Sequence, residues 1–552
     1  MAKRLELIDP KAKWTRDHAR HLLNRAGFGM PVSVLNQLET MGPAAAVALM
    51  VDYEKYPDPF TEPDWFTSPE EVAARRRELA DAPPEERQKA FRELQRKQRE
   101  DMEQLKTWWL ERMAKTTRPL QEKMTLFWHG HFAVSAEKVK EPEYNYQLNK
   151  VFRDHATGNF RELVFEVGKS PAMLEYLDNR LNRKGSPNEN WARELMELFT
   201  LGIGNYTEED IKEAARAFTG YTHRNGEFTF VERQHDFGPK TFLGRTGDFD
   251  GADVINIVME QPEASTFISR KLWEYFVYEK PDDALVAELG AILREADFEL
   301  KPLLRTIFLS KEFYSPRAMQ GLVKSPAQYI VALQDHLGME TPRAMLLTMA
   351  MRSLGQDLFY PPNVKGWAGN RAWINSNTAL ARYNIPVYLA TGRRPNLEAD
   401  PRLDEMPGSA APMMMMQTVN QQQGTPAKKR REQMQQRLSE AREKRAQATG
   451  QAQAKRSAAQ QRAQAARTST MSRVFVQFEP LFAAYLNRPV SDAVVGISNH
   501  LFGRPLDDVQ YRTLASVLAN QSHTEPLTSD TVRANGPAFL QLALSMAEYQ
   551  LC

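Results

Sequence analysis

The chain has 552 residues, 42% hydrophobic and 26% charged, with a formal net charge of +2, enough for roughly two to four domains' worth of buried core. Its single cysteine, Cys552, excludes an intrachain disulfide and a cysteine-built zinc site. No apolar h-region opens the chain and no run of about 18 apolar residues occurs, so neither a signal peptide nor a transmembrane helix is expected, and a cytoplasmic location is the first expectation.

In chain order, helical patterns dominate. "TRDHARHLLNRAGFG" opens with a Thr15 cap and stops at Gly27. Residues 34 to 51 read as a second helix. Ser68-Pro69 starts a third, and Pro83-Pro84 separates it from a long charged helix, about Glu85 to Met113, that turns apolar at Trp108 and Trp109. Thr117-Arg118-Pro119 starts "PLQEKMTLFWHGHF". Ser186-Pro187-Asn188-Glu189 reads as a capping box for "NENWARELMELF", which Gly202 ends. Thr207 caps the next helix, and Gly220 ends it. Asn225-Gly226, followed by alternating Phe228 and Phe230, predicts one small β-hairpin near 226–245. Helices resume from about 252 to 380.

Residues 406–470 differ in kind, with Gln, Ala, Arg and Lys dominating and almost no large apolar residue after Met434. Such a segment cannot bury a stripe and is expected to be disordered or a solitary charged helix. Between Lys428 and Arg467 lie twelve Lys/Arg and three Asp/Glu, which leaves the rest of the chain mildly acidic at 60 bases against 67 acids. The segment has no aromatic residue to stack on bases, so specific nucleic-acid recognition is not expected. Its removal, about residues 408 to 468, is expected to leave the fold intact.

Twelve short motifs in order, among them "HLLNRAGFG", "PLQEKMTLFWHGHF", "PNENWARELMELFTLGIGNYTEEDI", "ARAFTGY", "HDFGPKTFLG" and "LGQDLFYPPNVKGWAG", resemble the bacterial family catalogued as domain of unknown function 1800. The resemblance implies a mostly helical fold. It also implies export, so that a periplasmic location stands as the alternative, and a partner from a second family, numbered 1501, that looks like alkaline phosphatases and sulfatases. No established activity comes with it.

The candidate site residues fall in five of these motifs. His129 and His131 of "FWHGHF" would share a side if Gly130 breaks the helix, and could then offer two imidazoles to one metal; otherwise they hydrogen-bond carbonyls in an aromatic core. In "NENWARELMELF", Asn190, Glu194 and Glu197 fall in one row and Glu189, Arg193 and Glu197 in another, flanked by Trp191, Met196 and Phe199. That pattern predicts a helix facing inward, whose carboxylates must be paired, protonated or metal-bound; a buried Arg–Glu network is the other reading. His235 and Asp236 sit beside the Gly238-Pro239 turn, with Lys240 following and Arg216 close to the acidic helix. Asn363, Lys365 and Trp367 lie in a loop suited to sugar or peptide stacking, although Trp367 could equally plug the core.

No GxSxG elbow, GxxxxGK[ST] loop or HExxH motif is present. The sequence therefore predicts one large, mainly α, multi-helical domain with a small β-hairpin and low-complexity insertions. Residues 1–405 form the core, with a charged helical insertion at about 67–105; residues 406–470 form the basic insertion, and 471–552 complete the core. Two functions stand as expectations. One is a hydrolase in which His129, His131, His235 and Asp236 hold a divalent metal, Glu194, Glu197, Arg193, Arg216 and Lys240 carry the chemistry, and Asn190, Asn363, Lys365 and Trp367 bind substrate. The other is a non-catalytic binding or scaffold protein acting with the family 1501 partner.

Overall fold

Helix starts in the computed structural model, which describes residues 5–9, 12–29, 32–63, 65, 68–80, 82–319, 321–338, 344–391, 478–519 and 524–552, follow caps and prolines. Thr15 accepts from the His18 backbone N–H and opens α1 (Arg16–Ala26). Then come α2 (Val32–Met41), α3 (Pro43–Val51) and α4 (Pro69–Glu78). Proline at the first position, where no N–H is needed, opens α5 (Pro84–Lys115), α6 (Pro119–His131) and α7 (Pro142–Asp154). Asn159 caps α8 (Phe160–Lys169), and Pro171 opens α9 (Pro171–Tyr176).

Past α10 (Asn190–Glu194) the helix widens into a π-helical segment, Leu195–Thr200. Ser186 does not cap it. That residue is exposed and sits in a bridge with Arg183, and the side chain of Asn188 takes the Asn190 N–H instead. Thr207 caps α11 (Glu208–Ala217) through a full capping box.

Two hairpins follow where one was expected. β1 (Tyr221–Arg224) pairs with β2 (Glu227–Phe230) across Asn225-Gly226, both at positive φ. β3 (Lys240–Phe242) pairs with β4 (Arg245–Gly247) across Leu243-Gly244, also both at positive φ. Leucine is uncommon in that region, which hides this second turn from a sequence reading.

The remaining helices are α12 (Gly251–Glu260), α13 (Pro262–Phe276), α14 (Asp283–Glu295), α15 (Leu300–Leu309), α16 (Pro326–His336), α17 (Ala344–Ser353) and α18 (Ser376–Thr391). After them come α19 (Glu479–Ala483), α20 (Val490–Phe502), α21 (Asp508–Ala519), α22 (Ser529–Ser545) and α23 (Ala547–Gln550). The protein is mainly α. Residues 1–383 and 479–552 form one compact unit, and residues 384–478 form a second. The predicted basic insertion, 406–470, lies outside the described residues. Among the described residues no helix is long and apolar enough to cross a membrane.

α6 runs through the core of the first unit. Every residue from Pro119 to His129 is buried, and so is His131. Leu120, Met124 and Trp128 supply the apolar contacts, each large side chain adding about 1.5–3 kcal/mol on burial. Glu122 supplies the polar one. It accepts from Trp109 of α5 at 2.9 Å, from Arg112 of α5 at 2.5 Å and from Arg153 of α7 at 2.6 Å. One carboxylate thus ties three helices together.

A cationic cavity beside α6

Each expected metal ligand makes a hydrogen bond or ion pair within the fold. α6 continues through Gly130, so His129 and His131 do not share a side. His129 accepts from the Phe359 N–H at 3.0 Å and lies among the rings of Trp109, Phe359 and Trp367. Burial takes its pKa down to about 3. The His131 Nε2–H donates to the Phe199 carbonyl at 3.0 Å, and its Nδ1 has no partner. Burial, aided by Lys271, holds its pKa well below 6.5. His235 Nδ1–H donates to the Thr219 carbonyl at 2.8 Å between Phe230 and Phe237. Asp236 pairs with Arg216 at 2.8 Å, which holds its carboxyl below the usual range. Among the described residues no three His, Cys, Asp or Glu side chains are placed to share an ion.

The other predicted catalytic residues form two ion-pair networks. Arg193 joins Glu189 at 3.1 Å to Glu208 at 2.7 Å. Arg216 also joins Glu213 at 2.9 Å, and Lys240 donates to the carbonyls of Asp236 at 2.7 Å and Gly238 at 3.0 Å. The expectation that Glu194 and Glu197 face a dry interior is corrected. Both are half-buried, while Trp191, Leu195, Met196 and Phe199 fill the core side of the helix. Glu197 accepts from the Tyr206 hydroxyl at 3.1 Å. Burial and the nearby Glu197 raise the pKa of Glu194, with Arg193 and then Lys365 opposing. Asn190 is exposed and donates to the Leu177 carbonyl at 3.2 Å; Asn363 is exposed and closes its own turn by accepting the Lys365 N–H.

Four histidines, the buried His21, His129 and His131 and the half-buried His336, are held neutral by desolvation. A base with a depressed folded pKa loses stability as pH falls through its unfolded value. Below about pH 6.5 the unfolded chain takes up protons that the fold refuses. Stability should therefore drop by roughly 4 kcal/mol between pH 6.5 and 5.5, read by urea titration. An unchanged urea midpoint would show that these histidines titrate within the fold.

What the fold does assemble is a cavity of about 270 Å³ in the first unit. α6 contributes Lys123, Phe127 and His131, α13 contributes Lys271, Glu274 and Tyr275, and α1 contributes Arg25. The far wall is the loop carrying Lys365, Trp367 and Trp373. That loop can approach because Gly366 has φ +75°; a Cβ there would lie 2.1 Å from the Gly130 carbonyl oxygen. Gly366→Ala should cost about 1–3 kcal/mol and move Trp367 off the cavity, visible as a lower melting temperature and red-shifted tryptophan emission.

The cavity's cations lack the usual partners. Arg25, 1% exposed, donates to the carbonyls of Phe276 at 3.2 Å and Ala318 at 2.5 Å. Lys123, 4% exposed, donates to the amide oxygen of Gln328 at 3.0 Å and lies 5.2 Å from the Phe28 ring and 5.6 Å from that of Tyr275. Burial brings its pKa down to about 8; Arg25 and Lys324 push the same way, and the negative charge at Cys552 opposes. Lys271 stands over Phe267, its pKa lowered by burial against the opposing charge of Glu274. Of the cavity's two glutamates, Glu279 faces the exposed Arg371 at 3.9 Å, and Glu274 accepts the Lys280 backbone N–H. Among the described residues, neither glutamate nor any other carboxylate side chain forms an ion pair with Arg25, Lys123 or Lys271.

Of the predicted residues, Lys365, Trp367 and His131 meet here; Lys123, Lys271 and Tyr275 were missed. A lone lysine inside "PLQEKMTLFWHGHF" was the available signal, since a helix buried all round has no solvent for its ammonium. No curated protein and no solved structure matches the chain. The family model described as "Protein of unknown function (DUF1800)" matches residues 21–551, nearly the whole chain, and the protein belongs to that family.

Proposed function

We propose that the protein is a binding protein for a small anionic molecule, held in the cavity beside α6. The supporting observation is Lys123, an ammonium buried in an aromatic wall without a carboxylate side chain to neutralise it. The negative charge at Cys552, on the same cavity wall, offsets this burial only in part, since the Lys123 pKa stays down at about 8, and a bound anion would complete the neutralisation. Arg25 and Lys271 add to the same field, and Trp367 supplies a flat apolar face.

The test is a thermal-shift series with lactate, phosphate and sulfate, followed by tryptophan fluorescence from Trp367 and Trp373. Saturable stabilisation by at least one of these anions, absent in Lys271→Gln, supports the reading. No shift with any of them, at concentrations where simple salts act alike, would remove it.

A hydrolytic reading has one supporting observation: the raised pKa of Glu194, on which the cavity residue Lys365 also acts. Glu194 would then serve as a general acid. Glu194→Gln should abolish ester turnover and leave anion binding unchanged. Oxyanion chemistry also suits the phosphatase- or sulfatase-like partner that the family resemblance implies.

A further inference from the structure

We propose that Lys123 is a reactive amine that captures the carbonyl carbon of a small 2-oxo acid as an imine inside this cavity. The inference rests on the anion-binding reading and adds to it the class of ligand and a covalent step.

Two buried lysines make the case by comparison. Lys123 and Lys324 both have their pKa brought down to about 8, chiefly by burial, so both supply free amine near neutral pH. Their surroundings differ. Lys324 lines a narrow cavity of about 50 Å³, with its Nζ donating to the Tyr549 carbonyl at 2.8 Å and lying 4.4 Å from that ring. Lys123 lines about 270 Å³ and has one hydrogen-bond acceptor, Gln328. Of these two, only Lys123 has room for a reactant. Arg25 and Lys271 on the same walls suit a carboxylate next to the carbonyl.

The chemistry balances without an oxidant or reductant. The Nζ lone pair forms a C–N bond to the carbonyl carbon as the C=O π bond opens. A proton passes from nitrogen to oxygen to give a carbinolamine, which expels water and leaves the imine. Gln328 Oε1, accepting one N–H, would orient the amine for attack.

The experiment treats the full chain with pyruvate and borohydride at pH 8, then maps lysines by peptide mass spectrometry. Lactate, which has the carboxylate but no carbonyl, is titrated in parallel. The expected result is a carboxyethyl group on Lys123, none on Lys324, and loss of the adduct under excess lactate. Pyruvate that competes with lactate yet leaves Lys123 unmodified overturns the capture and keeps the anion reading. Equal labelling of Lys324 and exposed lysines also overturns it. An adduct on Lys123 that lactate does not suppress sustains the capture and overturns the anion reading. Because the mapping uses the unaltered protein, no outcome depends on a variant that fails to fold.

Discussion

Glu122→Ala is expected to destabilise the protein by about 3–5 kcal/mol, read by urea unfolding at pH 7. Glu122 is fully buried and takes hydrogen bonds from Trp109, Arg112 and Arg153. Burial alone would raise its pKa, but Arg153 and Arg112 hold it below the ordinary carboxylate value. Removing the carboxylate leaves two guanidiniums in the core, with Asp58 partnering only Arg112. The pH sign follows from the direction of the shift. A carboxylate with a depressed folded pKa stabilises above its unfolded value, 4.5, and loses that contribution as pH falls through its folded value. Below that range Glu122→Ala and the parent should converge. A loss under 1 kcal/mol at neutral pH would mean that Arg112 and Arg153 reach water once Glu122 is gone.

Lys123→Met is expected to act in opposite directions on stability and binding. The folded pKa of Lys123 is about 8 against 10.5 for an unperturbed lysine. The unfolded chain therefore holds a proton that the fold releases between those values. Stability rises with pH across that window, and at pH 7 the retained ammonium costs about 3 kcal/mol. Methionine removes that cost but leaves the Gln328 oxygen without its donor, about 1 kcal/mol. A net gain of about 2 kcal/mol at pH 7 should result, vanishing near pH 10 and turning into a small loss above it. Anion binding should meanwhile weaken by about 2–3 kcal/mol, roughly a hundredfold. A stabilised variant that has lost its ligand is the signature of a charge retained for function. If the variant is instead less stable than the parent at pH 7, Lys123 is a structural cation balanced within the fold.

Local signals in the sequence carried the elements well. Thr15, Thr207 and the helix-opening prolines act where the pattern places them, because each satisfies or removes orphan N–H groups without help from distant residues. Asn225-Gly226 made its hairpin visible for the same reason, while Leu243 at positive φ did not announce the second. The Ser186 box failed because residues 183–186 close on themselves before the helix starts. The candidate site was legible only in pieces. Glu194 and Glu197 looked enclosed by their apolar neighbours, but those neighbours lie on the other side of the helix. The cavity brings together residues 25, 123, 271 and 365–373, and no spacing rule relates positions that far apart. A buried lysine at position 123 was the fragment that local reasoning could have used.

The claim that the cavity binds its ligand through a protonated Lys123 is tested most directly by calorimetric titration of lactate at pH 7 and pH 9.5. The predicted result is one saturable site at pH 7, with affinity falling about tenfold per pH unit once Lys123 titrates above about 8. Binding at pH 9.5 should be accompanied by proton uptake from the buffer. Equal affinity at the two pH values, or no saturable heat at pH 7, would contradict the account.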